Sequence, residues 1–542
     1  MSIPTSSTSN RGVRGLPDES QTIDNTSRVI NRADFAAYQN SLAEKAETRA
    51  QERQHAKEKN TARERIAMFV DEGSFMEMGQ FVGGNMAAGF LGAAVVTGIG
   101  QVDGRPVAVY AQDFSIAGGT LGEAEGDKII SLMDKALELR IPIVAMLDSG
   151  GARIQEGVVA LSQYGRIFRK TVEASGVIPQ ISVIVGPCAG GAVYCPALTD
   201  FIVMTREHAH MFVTGPDVVR ATTGEEVSFA DLGGAAVHNF QSGVAHYQAE
   251  DEADALDYTR ALLTYLPSNC DAPARRWDYE EGPEDLINAQ SIAALVPESS
   301  KQPYDMVEVI RHLVDYGEFV QVQELFAPSI VVGFACFNGE SVGIVANQPL
   351  HEAGTLDVDA SEKSGRFVQF CDAFNVPVVT LVDVPGYRPG TEQEQAGIIR
   401  RGAKLIWSYA NASVPLVTVV LRKAYGGAYI VMGSKALGGD MNFAWPGAEI
   451  AVLGADGAVA ITGRRELAKA KAEGRDVAAV HKELSDAYTR ENVNPYLSVA
   501  RGELDAIITP EDTRSTIVSA LRVLRTKDRT HPGTRRHGNM PM

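Results

Sequence analysis

Two stretches of this chain follow the same pattern. Ile181-Ser-Val-Ile-Val-Gly-Pro-Cys-Ala-Gly-Gly-Ala192 is a β-branched apolar run that stops in small residues. Val414-Pro-Leu-Val-Thr-Val-Val-Leu421 likewise runs into Arg422-Lys-Ala-Tyr-Gly-Gly-Ala-Tyr429. Each is too short for a long helix and reads as a buried strand, a tight turn and a helix start, near Gly190 in the first. A helix N-terminus carries unpaired N–H groups and partial positive charge, which suit a developing oxyanion, and glycine lets a ligand come close. One such turn is equally the mark of a plain packed corner, but here it occurs twice. A matching strand precedes each, Ile141–Asp148 and Val376–Asp383, and Asp127-Lys128 in the first preceding helix is echoed by Glu362-Lys363. The aspartates are 235 positions apart and Gly190 and Gly426 are 236 apart, so the chain reads as two homologous halves with one oxyanion-type turn each.

The length of 542 residues fits two domains. We place them at 31–290 and 291–542, joined through the acidic, Pro-bearing stretch Pro267–Pro303, with a disordered tail over 1–30 and a basic, partly pinned end from His531 to Met542. A net charge of −18 argues against a nucleic-acid partner, whose binding rests on neutralising phosphates. The five cysteines form no C-x-x-C pair, so neither a zinc ribbon nor a disulfide framework is indicated and a reduced, cytoplasmic chain is expected. The first thirty residues are polar and carry no secretory signal. Gly79–Val102 is uncharged and long enough to cross a bilayer, but its seven glycines with Gln80, Asn85 and Gln101 read as loop and strand. No membrane association is expected.

Asp34–Lys59 reads as a solvated helix, and Thr61-Ala-Arg-Glu-Arg-Ile66 opens a shorter one with Arg63 and Arg65 as surface charges. The Gly-rich loop Asp113–Thr120 offers another backbone donor between Ala117, Gly118 and Gly119; His351–Gly354 is its counterpart. Ser149-Gly-Gly-Ala-Arg153 follows a strand at its carboxyl end, where ligands sit in α/β sheets. Ser149 lacks the G-x-S-x-G elbow and is replaced by Val384 in the second half, which disfavours a nucleophile. Arg153 is the better candidate, for an anion contact or for fixing the loop. His208 and His210 have strand spacing but no third ligand, so no metal site is expected.

Strands alternating with helices make the class α/β. Walker, H-E-x-x-H and Rossmann signatures are absent, and Gly190–Thr199 contains no Asp, Glu or His, which disfavours a hydratase. Two oxyanion turns without a side-chain acid or base suggest two carbonyl-derived anions, with the proton handled by substrate or cofactor.

The chain resembles the carboxyltransferase β subunits of biotin-dependent acyl-CoA carboxylases of the propionyl-CoA and acetyl/propionyl-CoA type. The likeness runs from about residue 35 to 542. Its motifs are Thr61-Ala-Arg-Glu-Arg, Ser149-Gly-Gly-Ala-Arg-Ile-Gln, Cys188-Ala-Gly-Gly-Ala, Met211-Phe-Val-Thr-Gly-Pro, Leu266-Pro-Ser-Asn, Val345-Ala-Asn-Gln-Pro, Asp383-Val-Pro-Gly, Gly397-Ile-Ile-Arg-Arg-Gly, Lys423-Ala-Tyr-Gly-Gly-Ala-Tyr and His537-Gly-Asn. The resemblance implies a ClpP/crotonase-like domain of ββα-superhelix type in each half, acyl-CoA bound by the first and biotin by the second. It also implies a hexameric core with sites shared between subunits. By position, Gly190 and Gly191, with Ala192, Ala117, Gly118 and Arg153 around them, would serve the thioester oxygen of acyl-CoA. Gly427 and Ala428, with Gly426, would serve the ureido oxygen of carboxybiotin, whose released nitrogen takes the α-proton. Ile430 falls where related subunits carry an acid or an apolar residue that goes with acyl-chain choice, so a short-chain substrate is implied: propionyl-CoA, and acetyl- or butyryl-CoA as well. The chain lacks the Met-Lys-Met biotin attachment triplet, so a separate biotinylated α subunit, biotin carboxylase plus carrier, is implied. A transcarboxylase or decarboxylase core, a long-chain acyl-CoA carboxylase subunit and a non-catalytic scaffold subunit are the alternatives.

Overall fold

A computed structural model describes residues 32–84 and 92–527. The tail over 1–30, the end from His531 with its His537-Gly-Asn motif, and Asn85 lie outside the described residues.

Each half is built on an eight-stranded sheet. The first contains β1 (Met76–Met78), β2 (Val95–Val102), β3 (Arg105–Gln112), β4 (Ile143–Ser149), β5 (Gln180–Ala189), β6 (Phe201–Thr205), β7 (His210–Phe212) and β8 (Tyr247–Ala249). The second contains β9 (Val320–Val322), β10 (Ile330–Phe337), β11 (Glu340–Asn347), β12 (Val378–Val384), β13 (Leu416–Tyr425), β14 (Met441–Ala444), β15 (Glu449–Ala451) and β16 (Ala506–Ile507). The pairing is the same in both. An antiparallel start, β1-β2-β3 or β9-β10-β11, leads into parallel strands, with β7 and β15 added beside the ends of β5 and β13. Even the irregularity recurs, between Leu147 and Ser149 and again between Val382 and Val384.

Local chemistry explains the hairpins. β2–β3 turns at Asp103-Gly104 (φ 50° and 73°) and β10–β11 at Asn338-Gly339 (φ 49° and 73°), where a type I′ turn needs positive φ at both residues. Beyond each hairpin a helix, Glu123–Leu139 or Val358–Ala373, covers the sheet. Its buried lysine reaches back to the hairpin strand: Lys128 Nζ donates to the Val95 carbonyl, and Lys363 Nζ to those of Phe326 and Ile330. β4 and β12 are buried along their whole length, as parallel strands covered on both faces are.

Two expectations change. The helix Ala62–Phe69, closed by the reciprocal Thr61–Glu64 cap, buries Ala62, Arg65, Ile66 and Phe69. Arg65 thus occupies the i+3 position of the inward face and is not a surface charge; its guanidinium bonds Glu252 and Asp148. The stretch expected to be a plain linker contains the helix Pro283–Leu295, with Pro283 in its first turn and Glu284 and Asp285 at its N-terminus. Residue 290 falls inside it, and Ile292 packs with Val309 and Ile310 of the second half. The halves also share a core: Phe201 lies 4.7 Å from Phe370, and Tyr258 donates to the Gln321 carbonyl.

Candidate functional site

β5 ends at Ala189 and β13 at Tyr425, and both chains turn at once into helix. Gly190–Val193 is a single 3-10 turn continued by Tyr194–Ala197, and Gly426–Val431 is α-helical. Gly190 (φ 64°) and Gly426 (φ 60°) make the corner in the left-handed region. Gly191 and Gly427 follow in the first helical turn, whose N–H groups lack an intrahelical partner. A Cβ on Gly427 would meet nothing within 4 Å, and one on Gly191 only the Tyr164 ring at 3.5 Å, so both Cα atoms border open space.

A second backbone element accompanies each turn. Ala117, Gly118 and Gly119 all have positive φ (48°, 66° and 64°), as do Glu352, Ala353 and Gly354 (48°, 55° and 78°). Left-handed backbone outside glycine costs about 1–3 kcal/mol per residue and persists where surrounding contacts impose it. Here those contacts are visible. A Cβ on Gly119 would stand 2.1 Å from the Asp148 carbonyl oxygen, and one on Gly354 2.7 Å from that of Asp383. Loop and strand end are also stitched together, Gly150 N–H donating to the Gly118 carbonyl and Leu356 N–H to that of Gly386. Ala353, not singled out from sequence, stands 235 positions beyond Gly118; the repeat spacing was the signal that pointed to it.

Behind each turn sits a fully buried aspartate with two cations. Asp148 pairs with Lys59 at 2.5 Å and Arg65 at 3.1 Å; Asp383 pairs with Arg422 at 3.0 Å and Lys423 at 3.4 Å. The cations arrive by different routes. Gly186 stands where the second half has Arg422, and a Cβ there would come within 2.0 Å of Asp148 Oδ1 and 2.7 Å of Lys59 Nζ. The first half thus leaves a gap that the N-terminal helices fill. Burial lowers the ammonium pKa of both Lys59 and Lys423.

Arg153 donates to Glu125, Glu156 and the Thr120 carbonyl, which ties three segments of the first site together and leaves its role as fixing the loop. Ser149 is buried and its Oγ accepts the Gly151 N–H, an arrangement unlike that of a nucleophile. Ala192 and Ala428 are buried behind their turns, whereas Ile430 is 39% exposed. His210 Nδ1 bonds the His208 carbonyl, and no cluster of potential metal ligands occurs among the described residues.

Cavities accompany both halves. One of about 300 Å³ lies against Ala117 and is lined by Arg49, Arg53, Arg63 and Lys128. Another, of about 820 Å³, is lined by Ala353, Arg422, Lys423, Tyr425 and Glu449 beside the second turn. The Tyr425 hydroxyl donates to the Glu449 carboxylate, and burial together with that bond pushes the phenol pKa up.

Comparison with known proteins agrees with this architecture. The carboxyl transferase domain family matches residues 53–540. The propionyl-CoA carboxylase beta chain of Saccharopolyspora erythraea is 55% identical over 91% of this chain and 92% of its own length. The biotin-dependent acetyl-/propionyl-coenzyme A carboxylase beta5 subunit of Mycobacterium tuberculosis (H37Rv) is 51% identical over 91% of this chain and 92% of its own. The crystal structure of transcarboxylase 12S, solved with methylmalonyl-coenzyme A and methylmalonic acid bound, superposes with a TM-score of 0.87 at 44% identity, covering 93% of this chain and 98% of that one. With two repeat-related crotonase-like halves and these relatives matching nearly end to end, the chain belongs to the carboxyl transferase family, as a carboxyltransferase of the propionyl-CoA carboxylase type.

Proposed function

We propose that this chain moves CO2 from carboxybiotin, carried by a partner α subunit, to the α-carbon of a short-chain acyl-CoA. The observation that carries this is the pair of repeat-related turns, Gly190-Gly191 and Gly426-Gly427, each beside a left-handed loop and neither with a side-chain acid or base in the turn itself. In this reading residues 31–290 form the acyl-CoA side and 291–542 the biotin side. The N–H groups of Gly190 and Gly191, with the Ala117-Gly118 loop, hold the thioester oxygen as the enolate forms, each donor contributing roughly 2.7–4 kcal/mol in the transition state. Gly427 and Ala428, reached past Gly426, hold the ureido oxygen, and the cavity beside Tyr425 has room for the bicyclic ring. Carboxybiotin supplies the CO2 and the nitrogen that accepts the α-proton. The basic side chains around the first cavity, Arg49 and Arg53 among them, face the phosphates of CoA.

Apolar side chains stand exposed around both turns, Ile154, Val158 and Leu161 in the first half and Ile399, Val452 and Ile461 in the second. They support an assembly in which the first half of one subunit covers the second half of another, and transcarboxylase 12S assembles as a hexamer. Five free cysteines fit a cytoplasmic setting, and among the described residues no helix is long and apolar enough to cross a membrane. Reconstitution with candidate biotinylated α subunits over acetyl-, propionyl-, butyryl- and long-chain acyl-CoA tests the reading. Propionyl-CoA is expected to give the highest kcat/KM, whereas a long-chain optimum would overturn the substrate. Likeness to transcarboxylase 12S favours one second reading, an ATP-independent transfer from a carboxylated acyl-CoA donor, by way of biotin, to an uncarboxylated acceptor; carboxylation that requires ATP and the α subunit excludes it.

A further inference from the structure

The repeat relates cavities as well as turns. A third cavity, of about 470 Å³, lies at the seam of the halves, bounded by β9, the loop Gln348–His351 and the ring pair Tyr247–Tyr258. Its Val331, Gln348, Leu350 and His351 stand 235 positions beyond Val96, Asp113, Ser115 and Ile116, which line the cavity of the first half. Gln321, opposite Gly333 across β9 and β10, corresponds to Glu77, opposite Gly98 across β1 and β2. The two cavities are thus the same place in the two halves.

Their chemistry has diverged. The first sets Arg49, Arg53, Arg63 and Lys128 against Glu47, Glu77 and Asp113, an excess of cations suited to phosphates. Lys128 and its counterpart Lys363 are both buried and bonded to backbone carbonyls, but only Lys128 reaches a cavity wall. What remains in the second is Arg311 paired with Glu308, the carboxylates of Asp305 and Glu324, and two tyrosine rings stacked 3.8 Å apart. With no excess of cations and with two aromatic faces, this lining suits a polypeptide rather than a phosphate group. Leu350 lines both this cavity and the larger one beside Tyr425, so the two adjoin.

Building on the biotin-side reading above, we propose that this cavity docks the polypeptide segment flanking the biotinyl-lysine of the carrier. The first half holds the nucleotide end of its ligand outside the loop Ala117–Gly119 and the reactive end at the turn. The second half holds the carrier backbone outside the loop Glu352–Gly354, the lysine arm passing over Leu350 to the turn at Gly426.

Arg311→Glu and Glu324→Lys, both at exposed positions, test this in the assembled enzyme. Each is expected to raise KM for the biotinylated carrier about tenfold, the equivalent of about 1.4 kcal/mol. The KM for acyl-CoA, and carboxyl transfer to free biotin, should stay as in the wild type. An unchanged carrier KM in both variants overturns the proposal. So does binding of adenosine 3′,5′-bisphosphate that these variants weaken, since that makes the cavity a second nucleotide site. Failure of the biotin-side reading shows elsewhere, as free-biotin transfer that survives Gly427→Val.

Discussion

At the scale of single residues, the two glycines of each turn do different work, and that decides which substitutions are informative. Gly190 and Gly426 hold positive φ, so a side chain there strains the backbone whatever the ligand does. Gly191 and Gly427 carry no such demand and have room for a Cβ. Gly191→Val and Gly427→Val should therefore fold and assemble while the added side chain keeps the ligand from the N–H groups and kcat falls about 100- to 1000-fold, a loss of the size seen for one oxyanion donor. Near-full carboxylation by Gly191→Val would remove that turn from the acyl-CoA site. Ile430 lies three residues past Gly427 in the same helix and is 39% exposed. An apolar wall separates ligands one methylene apart by only about 1–3 kcal/mol. The wild type should therefore grade acetyl-, propionyl- and butyryl-CoA rather than exclude any. Ile430→Asp should shift the ratios of kcat/KM among them, and unchanged ratios would take this residue out of the pocket.

Among elements, the buried ion network under the first turn ties the helix Ala62–Phe69 to β4 and to the helix Glu252–Tyr265. Breaking a buried pair by removing one partner costs about 3–5 kcal/mol. Arg65→Ala should lower stability by that order in urea titrations. Arg63→Ala removes a pair with Glu77 that is 31% exposed on the arginine side, and should cost about 1 kcal/mol or less. Lys363 offers a pH test. Burial lowers its ammonium to about 7 from an ordinary value of 10.5. Between those values the unfolded chain binds more protons, so the free energy of unfolding rises with pH across that window. Lys363→Met lacks the titrating group. The wild type's stability relative to this variant should be lowest below pH about 7 and grow toward 10.5; a flat difference would mean that Lys363 stays charged throughout.

For the molecule as a whole, the halves are not independent bodies. Phe201, Phe334 and Phe370 form one aromatic cluster across the seam, and Ser341 Oγ donates to the Tyr265 carbonyl. If a site takes one turn from each half, separately expressed halves should be inactive. Co-assembling Gly191→Val with Gly427→Val chains tests where the two turns meet. Partial recovery of carboxylation in verified mixed oligomers is expected if sites lie between subunits, and no recovery would place each site within one chain. The purified chain should also give no streptavidin band, since biotin arrives on the partner.

The internal repeat, the strand-to-turn corners, the α/β class and the absence of a side-chain acid or base from the turn were legible in residue order. They depend on local periodicity, glycine placement and spacing along the chain. The type I′ chemistry of Asp103-Gly104 and Asn338-Gly339 and the helix start at Gly282-Pro283-Glu284-Asp285 were not among the expectations drawn from residue order. Tertiary structure alone decided the rest, because burial and partnership depend on what packs from far away. Arg65 is a core residue because Asp148 and Glu252, 83 and 187 positions distant, converge on it. Arg153 fixes a loop because Glu125 and Glu156 meet its guanidinium. Gly354 is pinned because the left-handed loop beside β12 presses its backbone against the strand end of Asp383, a relation that no local pattern encodes.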